Sequence, residues 1–403
     1  MKKVLINLYN FEFDGQFIYE IAFVYNTFLT FLSGTTATEY LSGQIIHLLS
    51  YLGIALVLYK IFFLDKINLK WLLLGVVILS LLVLTWRTSK DFSLFTMGIF
   101  ILGGRDVNFT RVVHLFFYVT VILLIGIMLM SGIGIIRNLV YHRSGVIRQS
   151  LGITYPTDLA AHILYAVLAY TYLRFAKINW KDYSLLILIA ILVYWITQAR
   201  LNTICILSII PTVYIGKMAR KGNSICKFIS SFYWTIPVTS AYLIFMLSYF
   251  YISSNKIFEK VNNLLSNRLY LGHKALRLYS VSIFGTHMRE SGWGGIEGLK
   301  MMEHNTGRYF FVDSSFIRMF ILYGLIMGII ILIIMTIISW LSIQRGSYNL
   351  ASIIVILSMS AVIEQHLLEI AFNPFFISLI PILSSISLKG SNNFGKIYSK
   401  SHK

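Results

Sequence analysis

The feature that most constrains this chain is a succession of long apolar segments that covers nearly its whole length. A helix that crosses the hydrocarbon core of a bilayer needs about 17–25 predominantly apolar residues. By this measure the sequence contains about twelve such segments, centred near residues 25, 53, 79, 98, 123, 166, 190, 209, 241, 328, 357 and 380. Because lipid offers the backbone no hydrogen-bond partners, a helical bundle is the architecture that this pattern predicts. We therefore expect an all-α, polytopic integral membrane protein.

Composition supports this interpretation and excludes several others. A chain with 57% hydrophobic and 12% charged residues is not a soluble globular protein. Nucleic acid is not the expected partner of the net charge of +18, since much of that charge lies in short loops beside apolar segments, where membrane lipids are the neighbours. Lys2 and Lys3 precede a polar stretch, so no cleavable signal is predicted. Cys205 and Cys226 have neither a metal-ligand spacing nor that of a disulfide framework.

Basic residues set the predicted orientation. With both termini in the cytoplasm, most lysines of the short loops and of the tail lie inside, as the positive-inside rule requires. Three segments then lie outside: residues 136–156, the turn at 197–202, and a long loop at 253–313. The predicted organisation is nine spans in 1–252, the long loop with amphipathic helices at 253–313, three spans in 314–388, and a basic cytoplasmic tail at 389–403.

Arginines on the outside face need another explanation. Arg143 and Arg148 lie in the 136–156 connection, and Arg200 stands alone in the turn between two apolar segments. A guanidinium group presents a planar fork that grips two phosphate oxygens at once. These positions therefore predict binding of a lipid-linked diphosphate. Snorkelling of the side chains to phosphates of ordinary membrane lipids is the alternative explanation.

The second half of the long loop carries the other candidates for chemistry. Trp293 and Tyr309 are expected to stack on sugar faces. Arg289 and Arg308 are further candidates for binding diphosphate or sugar, and Asp313 is a candidate for the same site or for a helix cap. The general base that removes a proton from an attacking hydroxyl is predicted to be His304 or Glu290.

The motifs that are missing narrow the chemistry. The chain has no P-loop, which argues against ATP as the energy source. No outside loop contains paired carboxylates that would hold a metal and a nucleotide sugar, so neither a metal nor a cofactor is predicted. Glu364 and Glu369 flank Gln365 and His366 at the end of an apolar segment. They are expected either to line the same cavity or to form hydrogen bonds between helices.

Three short stretches are similar to a known family. They are IRQSLGITYPTDL at 147–159, YSVSIFGTHMRE at 279–290 and FFVDSSFIRMFILYGLI at 310–326. Together they resemble the Wzy-type oligosaccharide repeat-unit polymerases of bacterial capsule and O-antigen synthesis. The chain departs from the family pattern at Tyr155, where His is frequent, and at Thr157, where Asn is common. Gln198-Ala199-Arg200 stands where Asp-Ser-Arg is more usual, so the arginine is kept while the carboxylate is not.

This resemblance implies a GT-C-like membrane enzyme in the bacterial plasma membrane. The implied reaction is a metal-independent, inverting glycosyl transfer on the outer face, with donor and acceptor both carried on polyprenyl diphosphate. A hydroxyl of the incoming repeat unit attacks the anomeric carbon of the growing chain, and the carrier diphosphate leaves. The implied partners are the lipid-linked oligosaccharide, a chain-length regulator and a flippase.

Two other functions fit parts of the sequence. A ligase that moves a finished glycan to another acceptor would use the same leaving group and the same arginines. A flippase or exporter would need polar residues along an inner cavity and little outside domain, whereas this chain shows the reverse pattern. The sequence therefore favours the polymerase.

Overall fold

The computed structural model describes residues 14–384 apart from 67, 144 and 305. Within these residues the chain forms sixteen α-helices and one two-stranded antiparallel sheet. The helices are α1 Gly15–Ser33, α2 Gly43–Tyr59, α3 Leu69–Ser89, α4 Ser93–Leu102, α5 Phe109–Gly132, α6 Pro156–Arg174, α7 Trp180–Thr197, α8 Arg200–Arg220, α9 Ser224–Ser230, α10 Ile236–Tyr249, α11 Lys256–Leu264, α12 Arg268–Leu278, α13 Gly295–Glu303, α14 Ser315–Leu322, α15 Gly324–Gln344 and α16 Asn349–Ile363. The strands are β1 Val140–Arg143 and β2 Val146–Gln149.

Seven helical segments of the described chain are long and apolar enough to cross a membrane. They are Gly43–Leu64, Leu69–Ser89, Phe109–Gly132, Trp180–Thr197, Arg200–Arg220, Ser224–Tyr249 and Gly324–Gln344. Shorter apolar helices occupy Ser93–Leu102, Asn349–Ile363 and Phe375–Ser384. The mostly helical fold is thereby confirmed, with seven helices compatible with a membrane protein and a small β-hairpin as the departure from an all-α chain. The twelve spans, the GT-C-like arrangement and the orientation stay predictions.

Burial divides the helices into a lipid-type periphery and a centre. Only 11% of the apolar window of α3 is buried, so this helix presents apolar side chains on nearly all sides. In contrast, most residues of α6 and α16 are buried, including polar ones such as His162 and Ser358. A helix enclosed by other helices can carry polar side chains, because these side chains contact neighbouring helices and can form hydrogen bonds with them, whereas lipid tails offer no partner. The two central helices are therefore where polar chemistry can reside.

Three connecting segments gather at one end of the bundle, which we term the loop end: residues 34–42, 133–155 and 250–314. Thr36 Oγ1 donates to the Arg137 carbonyl at 2.9 Å, and the Gly295 N–H donates to the Thr154 carbonyl at 2.8 Å. At the opposite end, Lys60 Nζ donates to the Gly103 carbonyl at 2.8 Å. Two of the segments predicted to lie outside, 136–156 and 253–313, thus contact each other, while their side of a membrane stays a prediction. The predicted tail at 389–403, with Lys2 and Lys3, lies outside the described residues.

The long loop is anchored to the bundle by two glycines. Gly285 and Gly324 both have positive φ, at 89° and 82°. A Cβ on Gly285 would lie 1.9 Å from the Leu322 carbonyl oxygen, and one on Gly324 would lie 2.3 Å from the Gly285 nitrogen. The Leu325 N–H donates to the Ser282 carbonyl at 2.9 Å. The turn around Gly285 therefore fills the break between α14 and α15. Only glycine fits at positions 285 and 324 in this arrangement.

We expect Gly285→Ala and Gly324→Ala to destabilise the protein by more than the strain of a left-handed backbone, which costs about 1–3 kcal/mol. The added methyl group collides with backbone atoms, which cannot rotate away. The measurement is the apparent unfolding temperature of purified protein in detergent. Gly126→Ala is the matched control, because nothing lies within 4 Å of its Cβ position. Equal stability of all three variants would contradict this packing.

Candidate functional site

A cavity of about 750 Å³ opens at the loop end. Its walls come from the β-hairpin, the junction of α7 and α8, the junction of α11 and α12, and the last part of the long loop. The charged and aromatic residues of the lining are Arg148, Tyr155, Tyr194, Arg200, Arg268, Tyr270, Trp293, Tyr309 and Asp313. Five of the residues predicted from the sequence are therefore brought to one place, namely Arg148, Arg200, Trp293, Tyr309 and Asp313.

Arg148 reaches the cavity because of the alternation of strand β2. Its neighbours Ile147 and Gln149 are exposed, while Arg148 itself is buried. The Arg148 Nε–H donates to the carbonyl of Thr197, the last residue of α7, at 2.8 Å. The guanidinium lies 5.6 Å from the centre of the Tyr155 ring. A helix C-terminus offers unpaired carbonyls and partial negative charge, so it holds this cation in position.

Arg268 is held in the same way, and sequence reasoning missed it as a site residue. Its Nε–H donates at 2.7 Å to the carbonyl of Ile363, the last residue of α16. Its Nη2 lies 3.4 Å from Asp313 Oδ2. In the sequence, Arg268 reads only as part of an amphipathic pattern, because its partner carbonyl is 95 positions away.

Arg200 differs from the other two arginines. It is the first residue of α8, it is exposed, and it has no acidic partner among the described residues. The N-terminus of a helix carries partial positive charge, so a cation there is unfavourable unless an anion is nearby. An anion bound at this point would interact with both the side chain and the helix terminus.

The charges of the lining favour an anionic ligand. Asp313 is the only carboxylate among the described lining residues, against three arginines. Burial raises the pKa of the Asp313 carboxyl, and the Arg268 guanidinium beside it opposes that rise. An excess of positive charge therefore faces the cavity even when Asp313 is ionised.

Trp293 and Tyr309 form an aromatic surface on the loop side of the cavity. Their ring centroids are 4.4 Å apart, with planes inclined at 39°. The Tyr141 hydroxyl lies 3.0 Å from both the Trp293 and the Thr154 carbonyls, which ties the loop to the hairpin. The close approach of helix α13 to the Trp293 backbone requires Gly298, since a Cβ there would lie 2.4 Å from the Trp293 carbonyl carbon. The surface is thus fixed from both sides.

Several predicted residues do not line the cavity. Arg289, His304 and Arg308 are exposed and lie outside the described lining. The backbone of Arg143 pairs with Val146 in the hairpin, while its side chain lies outside the described atoms. Glu290 is also outside the lining, and its carboxylate is engaged elsewhere. The general-base role of His304 or Glu290 stays a prediction that this geometry does not favour.

Glu290 belongs to a half-buried ion network beside α14. Its carboxylate contacts the Arg318 guanidinium and accepts a hydrogen bond from the Val312 N–H at 2.9 Å. Arg318 Nη2 also lies 3.8 Å from Asp91 Oδ2, and the Tyr323 hydroxyl donates to Asp91 at 2.8 Å. A carboxylate this well bonded fixes the long loop onto α14. Its partner Arg318 lies on a different element, so the sequence alone does not reveal the pair.

We expect Glu290→Gln to lower the stability of the protein by about 1.5–3 kcal/mol, because it removes a charge-assisted hydrogen bond of Arg318 and leaves only the more distant Asp91 carboxylate beside that charge. Arg318→Met should cost a similar amount, and the double variant should cost less than the two single changes together. Unfolding temperatures in detergent test this cycle. If Glu290→Gln abolished function at unchanged stability, the base role would return to Glu290.

A second polar cluster lies beneath the cavity, between α6 and the segment that follows α16. His366 Nε2 is 3.2 Å from Asp158 Oδ1, and His366 Nδ1 is 3.0 Å from Glu369 Oε1. Glu364 Oε2 is 4.0 Å from His366 Nε2. The sequence led to two expectations for Glu364 and Glu369, and one was that they line the cavity. Neither residue belongs to the described lining. The role of Asp158 had no local signal, since it lies 208 positions from His366.

Comparison of the chain with protein-family models, with curated proteins and with solved structures found no match. The fold and the cavity therefore have to be interpreted from their own residues. The combination to be explained is an apolar helical bundle with an arginine-lined, aromatic-walled cavity at one end.

Proposed function

We propose that the chain is a membrane glycosyltransferase that polymerises oligosaccharide repeat units carried on polyprenyl diphosphate. The observation that supports it is the convergence of Arg148, Arg200 and Arg268 with Asp313 in one cavity at the loop end of an apolar bundle. The proposed setting is the outer face of a bacterial plasma membrane. Seven apolar helices are compatible with a membrane location.

The arginines suit the diphosphate of a lipid carrier. Each phosphate of a diphosphate diester carries a negative charge, and guanidinium groups bind such oxygens in pairs. As the bond to the sugar breaks, further negative charge develops on the leaving diphosphate, and cations already fixed in place stabilise it without reorganisation. Arg148 and Arg268 are fixed in this sense by helix C-termini, and Arg200 adds a third cation.

The cavity also suits a lipid-linked sugar in size and character. Its volume of about 750 Å³ falls in the usual range of ligand-binding pockets. Trp293 and Tyr309 supply the aromatic faces on which sugar rings stack. On the bundle side, α7 exposes Leu188, Ile191 and Trp195, an apolar surface along which a polyprenyl tail can lie.

In the proposed reaction a sugar hydroxyl of the acceptor attacks the anomeric carbon of the donor. The bond from that carbon to the diphosphate oxygen breaks with inversion, and the diphosphate leaves with both bonding electrons. Asp313 accepts the hydroxyl proton, since it is the one carboxylate among the described residues of the lining. Arg268, 3.4 Å away, orients it.

We expect Arg200→Ala to abolish polymer while the protein stays in the membrane at its normal level. Arg200→Lys and Arg148→Lys should each slow transfer by about 10- to 100-fold, because a charge-assisted hydrogen bond contributes about 1.5–3 kcal/mol and lysine cannot form the bidentate pair. The measurement is the gel profile of surface glycan in deletion cells that carry each variant.

Arg277→Ala is the matched control, since Arg277 is an exposed arginine of the long loop that lies outside the described lining. Normal polymer from Arg200→Ala would remove this residue from the diphosphate site. Deletion of the gene should leave single repeat units, whereas long chains retained on the carrier would identify a ligase instead.

We expect Asp313→Asn to slow transfer by about 100- to 10,000-fold, the usual contribution of a general base, with donor binding retained. The base acts in its deprotonated form. As the pH is lowered, Asp313 becomes protonated and the rate of the wild type should fall. Because burial raises the pKa of Asp313, this loss should begin at a higher pH than it would for an ordinary carboxyl group. Purified protein with fluorescent lipid-linked repeat units provides both measurements. An unchanged rate in Asp313→Asn would exclude the assignment.

A further inference from the structure

We propose that Asp158, Glu364 and His366 bind a divalent metal cation beneath the cavity. One nitrogen of His366 and one carboxylate oxygen from each of the two acids lie within 4.8 Å of one another. Asp158 stands in the first turn of α6, and the other two follow the end of α16. The site is distinct from the arginines of the cavity and does not depend on the proposed transfer reaction.

The tautomer of His366 is set by Glu369. The Nδ1 atom of His366 lies 3.0 Å from Glu369 Oε1, so the ring donates its Nδ1 proton to that carboxylate. Nε2 is then the nitrogen that faces Asp158 Oδ1 at 3.2 Å and Glu364 Oε2 at 4.0 Å. In metal sites, a ligating histidine usually donates the proton of its far nitrogen to a carboxylate in this way, which orients the ring.

When Nε2 carries no proton, three acceptor atoms converge at this point. Glu364 is only 3% exposed, and its Oε1 atom has no hydrogen-bond partner among the residues that the structure describes. A proton on His366 Nε2 would serve Asp158 but leave Glu364 Oε1 unsatisfied. A buried, unpaired carboxylate oxygen is costly, and a cation between the three groups satisfies all of them.

The ligands are held in place by their surroundings. Phe372 stacks on the His366 ring, with centroids 3.8 Å apart and planes inclined at 13°. The Glu364 carbonyl accepts a hydrogen bond from the Ser315 N–H at 3.0 Å, and Asp158 Oδ2 accepts one from Thr154 Oγ1 at 3.3 Å. The 3.2 Å separation of Asp158 Oδ1 and His366 Nε2 is close to the spacing of about 3.4 Å for donors around a tetrahedral ion at bond lengths of about 2.1 Å. Glu364 Oε2, at 4.0 Å from His366 Nε2, is somewhat farther away than this spacing.

The donor set identifies the class of metal. Imidazole nitrogen with carboxylate oxygen suits first-row divalent ions such as Zn²⁺ and Mn²⁺, whereas Mg²⁺ and Ca²⁺ prefer oxygen alone. Three carboxylates surround a single imidazole here, so a divalent charge offsets an excess of negative charge. From the sequence no metal is predicted, because the outside loops lack paired carboxylates that would hold a metal and a nucleotide sugar. That reason does not apply to these three ligands, which come from two distant parts of the chain.

A bound cation would join α6 to the segment after α16. Because its ligands come from both elements, the cation would hold α6 against this segment. Its role is to position these two elements, and the transfer step does not pass through it.

The experiment uses the full chain in detergent micelles, with the affinity tag removed, after treatment with a chelator. Equilibrium dialysis against Zn²⁺ and, separately, Mn²⁺, followed by elemental analysis, measures the bound ion. We expect about one ion per chain in the wild type and none in Glu364→Gln, because the charge of a ligand is lost. Glu369→Gln should still bind the ion, but with an affinity lower by about 10- to 100-fold, the usual effect of changing a group that orients a metal ligand.

Glu303→Gln, an exposed carboxylate on α13, is the matched control and should bind as the wild type does. Saturating Zn²⁺ should raise the unfolding temperature of the wild type and of this control, but not that of Glu364→Gln or Asp158→Asn. A wild type that binds neither ion, or a Glu364→Gln variant that binds as the wild type does, would overturn the proposal. Neither measurement involves glycosyl transfer, so this outcome is independent of the proposed activity.

Discussion

The loop end of this protein depends on arginines that are held by the C-termini of helices. Arg148 donates to the last residue of α7, and Arg268 donates to the last residue of α16. The terminal carbonyls of a helix lack partners within the helix and carry partial negative charge. A buried arginine satisfies such a carbonyl, and the carbonyl in turn holds the cation against the cost of burial. The cavity is thus built from the ends of helices that the bundle must have in any case.

The sequence allows prediction of the general plan and of a good part of the cavity. Long apolar segments predict membrane-type helices because lipid accepts little else, and isolated arginines between them predict an anion site because a cation at that depth needs a partner. Arg148 and Arg200 follow this pattern, and the structure brings them together with Asp313. A short helix such as α4 is harder to classify as a membrane span from sequence, since its ten residues are too few to cross a bilayer alone.

The remaining parts depend on contacts between distant positions. Glu290 looks like a free carboxylate in a polar loop, yet it pairs with Arg318 on α14. Arg268 looks like one cation among several on an amphipathic helix, yet it is buried against α16. Asp158 and His366 come from opposite halves of the chain. Local pattern carries no information about such pairs, because each residue type is also common where it has no partner.

In the β-hairpin, the face on which Arg148 lies depends on the number of residues between it and its pairing partner Tyr141. Successive side chains of a strand point to opposite faces, so a shift of one position exchanges the two faces. The pairing of Tyr141 with Arg148 places both on the inner side. Loss or gain of one uncharged residue between the two strands would shift this pairing and turn the arginine outward without changing the net charge. Changes of length in this segment are therefore more restricted than changes of sequence, and drift among related chains should preserve the spacing before it preserves the neighbouring residues.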